Sequence, residues 1–74
     1  MADAQIGEQY LKIDGARSVW QVVAIQIDPN GIRHCRLVNV SDHTDTKAIS
    51  ESTLRKRRFY RLCAEAPPVE ELVD

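Results

Sequence analysis

Val19-Trp20-Gln21-Val22-Val23-Ala24-Ile25-Gln26-Ile27, then Asp28-Pro29-Asn30-Gly31, then Ile32-Arg33-His34-Cys35-Arg36-Leu37-Val38-Asn39-Val40 decide the fold: two nine-residue runs rich in β-branched and apolar side chains flank a four-residue turn. Pro29 presets φ for a type I turn, Asp28 bonds the backbone two residues on, and Gly31 takes the left-handed position, so the stretch reads as a β-hairpin. A hairpin this long in a chain of 74 residues dictates an all-β core. Strict in–out alternation fails across Val22-Val23-Ala24-Ile25, which predicts a bulge or a bent strand serving both halves of a barrel.

Outward from the hairpin, Asp14-Gly15-Ala16-Arg17-Ser18 reads as a turn and residues 9–13 as a short strand carrying Tyr10, Leu11 and Ile13. Residues 1–8 are polar and aperiodic, a flexible leader with Ile6 as its apolar anchor. On the other side, Ser41-Asp42-His43-Thr44-Asp45-Thr46 is rich in side chains that bond their own backbone and reads as a loop. Residues 47–50 are long enough for a fourth, short strand. Ser50-Glu51-Ser52-Thr53-Leu54 looks like one capped 3₁₀ turn with Leu54 plugging the core, and Arg58-Phe59-Tyr60-Arg61-Leu62 like a fifth strand. The rival is a single basic helix over residues 51–66, with Phe59, Leu62, Cys63 and Ala66 on one face. Adjacent aromatics, and the need for a strand to close the sheet, favour the first reading. Residues 63–74 form a flexible, acidic tail containing Pro67-Pro68. The expected core is Leu11, Ile13, Trp20, Val22, Ile25, Cys35, Leu37, Val40, Ile49, Leu54 and Phe59.

A chain of this length makes one small domain, burying only about 60% of its unfolded surface. At 43% hydrophobic and 28% charged residues, the composition suits a compact soluble fold. No run approaches the roughly 20 apolar residues that span a bilayer. The first residues carry neither a basic nor an apolar export signal, so a cytoplasmic protein with Cys35 and Cys63 reduced is expected. The net charge of −1 conceals an asymmetry: all ten Lys and Arg residues lie between Lys12 and Arg61, against five acids in that span. The other six acids sit near the two ends. A polyanion-binding body is therefore compatible with a near-neutral whole.

Several of these features resemble a known family. Trp20-Gln21-Val22 with Ile25, Gly31 after the hairpin, Leu37, Lys47-Ala48-Ile49-Ser50, and the Leu54 turn leading into Phe59 carry the resemblance. In their order over residues 9–62 the elements resemble the small five-stranded antiparallel barrels of the Tudor and KOW type, the SH3-like fold. The pattern is also similar to a group of short proteobacterial proteins of no assigned role. The KOW resemblance implies contact with RNA or with the transcription and translation machinery. A methyl-lysine cage of several aromatics is not matched, because Trp20 and Phe59 are assigned to the core and only Tyr10 and Tyr60 remain.

Arg55-Lys56-Arg57-Arg58, with Arg61 beyond Phe59-Tyr60, is the sharpest candidate site. Adjacent cations repel unless solvent or an anion screens them. Guanidinium groups beside an aromatic, here Tyr60, suit phosphate contact with base stacking. Arg33 and Arg36 extend the patch if the sheet curls toward the last strand. Neutralising about five phosphates gives a log–log salt slope near −3.5 to −4.5. The bland alternative is a solvated turn whose charges aid solubility or hold the acidic tail. The tail suggests two roles of its own: Glu65, Glu70, Glu71 and Asp74 folding back over residues 55–58, or residues 69–73 docking to a partner.

Other chemistry is poorly supported. His34 and Cys35 are adjacent on a strand and face opposite ways, so neither zinc spacing nor any cofactor motif is present. Ser41, Asp42 and His43 are consecutive, which is wrong for a convergent triad. The expectation is a non-enzymatic binding module contacting RNA or DNA backbone. The alternative is a protein-interaction or structural adaptor, monomeric or weakly self-associating through an edge strand or the tail.

Overall fold

The computed structural model describes residues 3–13, 15 and 17–65. Its elements are β1 (Gln9–Lys12), β2 (Ser18–Ile27), β3 (Arg33–Asn39), β4 (Asp42–Ser50), α1 (Glu51–Leu54) and β5 (Tyr60–Ala64). The strands form one antiparallel sheet in the order β4-β3-β2-β1-β5. Among the described residues, β4 and β5 are therefore its two edges.

The hairpin forms as its residues require. Ile27 faces Arg33 across the β2–β3 ladder. Asp28 N–H donates to Ile32 O at 3.0 Å and Gly31 N–H to Asp28 O at 2.9 Å. Asp28 Oδ1 accepts from the N–H groups of Asn30 and Ile32, at 2.9 and 3.0 Å. Gly31 sits at φ +82°, where any side chain would be strained.

The bulge also forms. Val22 pairs with Leu37 and Ala24 with Arg36, leaving Val23 as the extra residue. Unbroken alternation would have placed Ala24 and Gln26 behind Trp20 and Val22. The bulge instead returns Ile25 to the core face, opposite Cys35.

Val22, Cys35, Leu37 and Leu54 are fully buried, with Ala4, Tyr10, Trp20 and Tyr60 completing the core. Ile25, Ile49 and Phe59 pack against it. Lys47, opposite Leu37 on the inner face of β4, shows how far the sheet curls. Its ammonium lies 4.0 Å from the Trp20 ring centre and 5.3 Å from that of Tyr60, on the opposite edge strand.

The single helical turn between β4 and β5 is capped as expected. Ser50 is extended at φ −66° and ψ 148°, and its Oγ accepts from Thr53 N–H at 3.3 Å. Arg55 N–H donates to Glu51 O at 3.0 Å, four residues back, so the turn is α-type rather than 3₁₀. Phe59 and Tyr60 N–H groups then both reach Lys56 O, at 2.9 and 3.1 Å. That arrangement breaks the helix after one turn, excludes the long basic helix, and delays β5 to Tyr60. The strand continues through Ala64, past the expected end at residue 62.

Other expectations of the strands and core need correction. Residues 42–46 are strand, not loop: β3 and β4 pair from His34–Ser50 out to Asn39–Asp42. Asp42 to Thr46 are exposed, so no apolar alternation advertises the strand. Tyr10, not Leu11, is the fully inward residue of β1, its hydroxyl satisfied by Glu8 Oε1 at 3.0 Å; Leu11 and Ile13 are half-buried. Val40 lies in the β3–β4 turn and is exposed.

Near the N-terminus, Gly7 N–H donates to Val22 O at 2.8 Å and Val22 N–H to Glu8 O at 2.9 Å. Ala4 N–H meets Glu51 Oε2 at 2.8 Å. Ala4 is buried and Ile6 exposed, the reverse of the anchor expected. The proposed tail segments beyond residue 65 lie outside the described residues.

Candidate functional site

Arg55, Arg57 and Arg61 line one groove, of about 570 Å³, between the end of α1 and β5. The local backbone explains their convergence. Arg55 is the C-cap of the helical turn, its N–H bonded back to Glu51 O. Arg57 sits on the loop that Lys56 O closes, and Phe59 O accepts from Ile13 N–H at 2.8 Å, which ties that loop to the end of β1. Arg61 follows on β5, where alternation turns it away from the core that Tyr60 enters. Arg57 and Arg61 are exposed, and Arg55 is half-buried.

The same groove is also lined by two acids, Asp3 and Glu8, by the rings of Tyr10 and Tyr60, and by Leu54 and Leu62. Glu8 is held in place: Oε1 accepts from Gln5 N–H at 2.8 Å and from Tyr10 Oη at 3.0 Å. Burial first, then the Glu8 hydrogen bond and charge, push the Tyr10 phenol above its ordinary range, against the pull of Arg55. Tyr10 is consequently a neutral hydroxyl donor throughout the physiological range. The groove thus carries both signs of charge, with Arg55, Arg57 and Arg61 and the acids Asp3 and Glu8 in its lining.

The remaining expected site residues fall elsewhere. Lys56 and Arg58 are exposed but do not line the groove, and the Arg58 guanidinium lies 5.9 Å from the Phe59 ring centre. Tyr60 is a core residue, so its ring face is not an open stacking platform. Arg33 is occupied inside the fold: its Nε donates to both Glu51 carboxylate oxygens at 3.2 Å, and its Nη2 to Ala4 O at 3.4 Å. Arg36 pairs with Ala24 and Ala48, out of phase with Cys35 and Leu37, and so lies on the outer face of the sheet. Neither extends the groove.

Glu8 and Tyr10, with Asp3, Leu54 and Leu62, are groove residues that sequence reasoning did not find. The signal of Glu8 and Tyr10 was weak, a carboxylate two positions from a tyrosine in a segment read as leader and strand. Only the β1–β5 pairing, Tyr10 opposite Leu62, brings them to the arginines.

A second hollow lies beside the hairpin, lined by Gln26, Ile27, Asp28, His34 and Ala48. His34 Nε2 and Asp28 Oδ2 meet there at 2.9 Å. That contact, with the Ile32 and Asn30 N–H groups, holds the Asp28 carboxyl below its usual range. Cys35 is buried, with desolvation pushing its thiol up, whereas Cys63 is exposed. No group of three or more His, Cys, Asp and Glu side chains among the described residues is placed to hold a metal ion. No helix among them is long and apolar enough to cross a membrane. No family model matches the chain, and no curated protein or solved structure matches it either.

Proposed function

We propose that the chain is a non-enzymatic binding module of the SH3-like barrel kind that holds RNA or DNA phosphates at the arginine groove. The observation that carries the reading is the convergence of Arg55, Arg57 and Arg61 on one cavity beside tyrosine and carboxylate groups. Guanidinium forks match phosphate oxygens in geometry and charge. The barrel assignment draws support from the strand order, from the helical turn joining the two edge strands, and from Lys47 reaching Tyr60 across the sheet.

With three groove arginines rather than the whole basic cluster engaged, the log–log salt slope on a single strand is about −2. Fluorescence anisotropy of a labelled single strand across a salt series tests this. Arg57→Ala combined with Arg61→Ala weakens binding at low salt and flattens the slope to about −0.7. Binding that ignores salt, or survives the double substitution unchanged, removes the proposal.

A second reading rests on a separate observation. β4 and β5 each pair on one side only among the described residues, and Ile27 and Ile32 stand exposed at the hairpin. An edge-strand adaptor or self-associating module uses such features. Light scattering over a concentration series separates it, since mass that rises with concentration supports association through an edge.

A further inference from the structure

Resting on the self-association reading, the sheet edges carry a sharper one: we propose that β4 of one copy of this chain pairs with β5 of the next, head to tail. Among the described residues, β4 and β5 each pair on one side only, and no ladder joins them to each other within the molecule. Each strand therefore presents backbone donors and acceptors that a strand of a second copy can meet.

Charge selects which edge meets which. The outer half of β4, from Asp42 to Thr46, is exposed at every residue and carries two acids, Asp42 and Asp45. Lys47, next along the strand, does not offset them, because its ammonium is turned inward to 4.0 Å from the Trp20 ring centre. The opposite edge is basic. Arg61 is exposed on β5, and Arg57 is exposed on the loop leading into it. Among the described residues, neither guanidinium has a carboxylate partner.

Three pairings of these edges are open, and two of them are poor. Twofold pairing of β4 with β4 gathers four aspartates along one seam. Twofold pairing of β5 with β5 gathers the arginines in the same way. Like charges across a ladder destabilise it and unlike charges favour it. Only β4 against β5 sets the acids beside the guanidinium groups. That pairing also brings together two exposed apolar residues, Val40 just before β4 and Leu62 on β5. The contact is heterologous, so each copy offers a second edge to a further copy. Growth then passes beyond a dimer, to a ring or an open chain.

Light scattering over a concentration series at low salt tests this with the native chain and two charge-reversed variants. One is Asp42→Lys with Asp45→Lys, the other Arg57→Glu with Arg61→Glu; all four positions are exposed, and circular dichroism checks both folds. The native mass climbs past two chains and falls back as salt screens the charges. Each variant alone stays at one chain, since reversal gives its two edges the same sign. An equimolar mixture associates again, because every β4 then faces a β5 edge of opposite charge. A native mass that stops at two chains overturns the head-to-tail pairing while leaving self-association standing. So does a variant that associates alone, or a mixture that stays at one chain. A native chain that remains monomeric throughout removes this proposal together with the self-association reading beneath it.

Discussion

Asp28 combines two duties that a turn aspartate often keeps apart. One carboxylate oxygen caps the N–H groups of Asn30 and Ile32, while the other meets His34 Nε2. Both interactions favour the ionised form and lower its pKa. A carboxyl depressed in the folded state adds stability above its unfolded value of about 4, and that stability disappears as pH falls through the lower folded value. Asp28→Asn keeps an acceptor for the turn but has no charge to titrate. Urea midpoints compared between about pH 6 and pH 2 therefore fall less in Asp28→Asn than in the native chain. Equal falls in the two proteins would assign the acid sensitivity to other groups.

At the scale of elements, the fold's decisive joint is the one-turn helix α1. Four residues are too few for a helix to stand alone, so α1 owes its existence to the Ser50 cap and to burial of Leu54. Glu51, on the same turn, clasps both Ala4 N–H and Arg33 Nε. Leu54→Ala empties a fully enclosed site and costs about 2–5 kcal/mol, whereas Ser50→Ala costs about 1 kcal/mol. For a 74-residue domain holding roughly 4–11 kcal/mol in all, the first change takes a large share and the second a small one. Denaturant midpoints of the two variants rank them; a Ser50→Ala loss equal to that of Leu54→Ala would contradict the packing account.

The same elements explain what was legible beforehand. The Asp28–Gly31 turn and the Val22–Val23 irregularity are local chemistry, written in φ preferences and in side-chain periodicity, and both formed as read. The outer half of β4 was not legible, because Asp42 to Thr46 are exposed and lack the apolar alternation that marks a strand. Here the Asp42 side chain accepts from Thr44 N–H and Oγ1, at 3.1 and 2.6 Å, a self-bonding pattern equally at home in a loop. Choosing Tyr10 over Leu11 as the inward residue of β1 depended on Glu8 satisfying a buried hydroxyl, which no periodicity encodes.

Over the described residues the molecule is a curled sheet with a buried aromatic layer on its inner face. Lys47 of one edge strand reaches across that layer, its ammonium near the rings of Trp20 and of Tyr60 on the other edge strand. Lys47→Met keeps the apolar stem and loses about 0.5–1 kcal/mol of cation–π attraction, and Lys47→Ala loses the stem as well. Thermal midpoints should fall in the order native, Lys47→Met, Lys47→Ala. A Lys47→Met protein less stable than Lys47→Ala would place the interaction elsewhere.

Curling also explains the partial legibility of the site. Arg55, Arg57 and Arg61 were identifiable as a run in the sequence, but Arg33 was claimed by Glu51 and Arg36 was turned outward by strand alternation. Glu8 joined the arginines only through pairing of chain segments some fifty residues apart, as Gln9 meets Ala64. Long-range register of that kind leaves no local mark.

The central claim is that this groove, and no other face, receives the phosphate chain. Two-dimensional amide NMR during titration with a short oligouridine single strand, at about 50 mM salt where phosphate contacts are strong, tests it most directly. The account predicts shifts clustered at residues 7–10 and 54–62, fading as salt is raised. Shifts centred on residues 27–34, or along β4, or unaffected by salt, would contradict it.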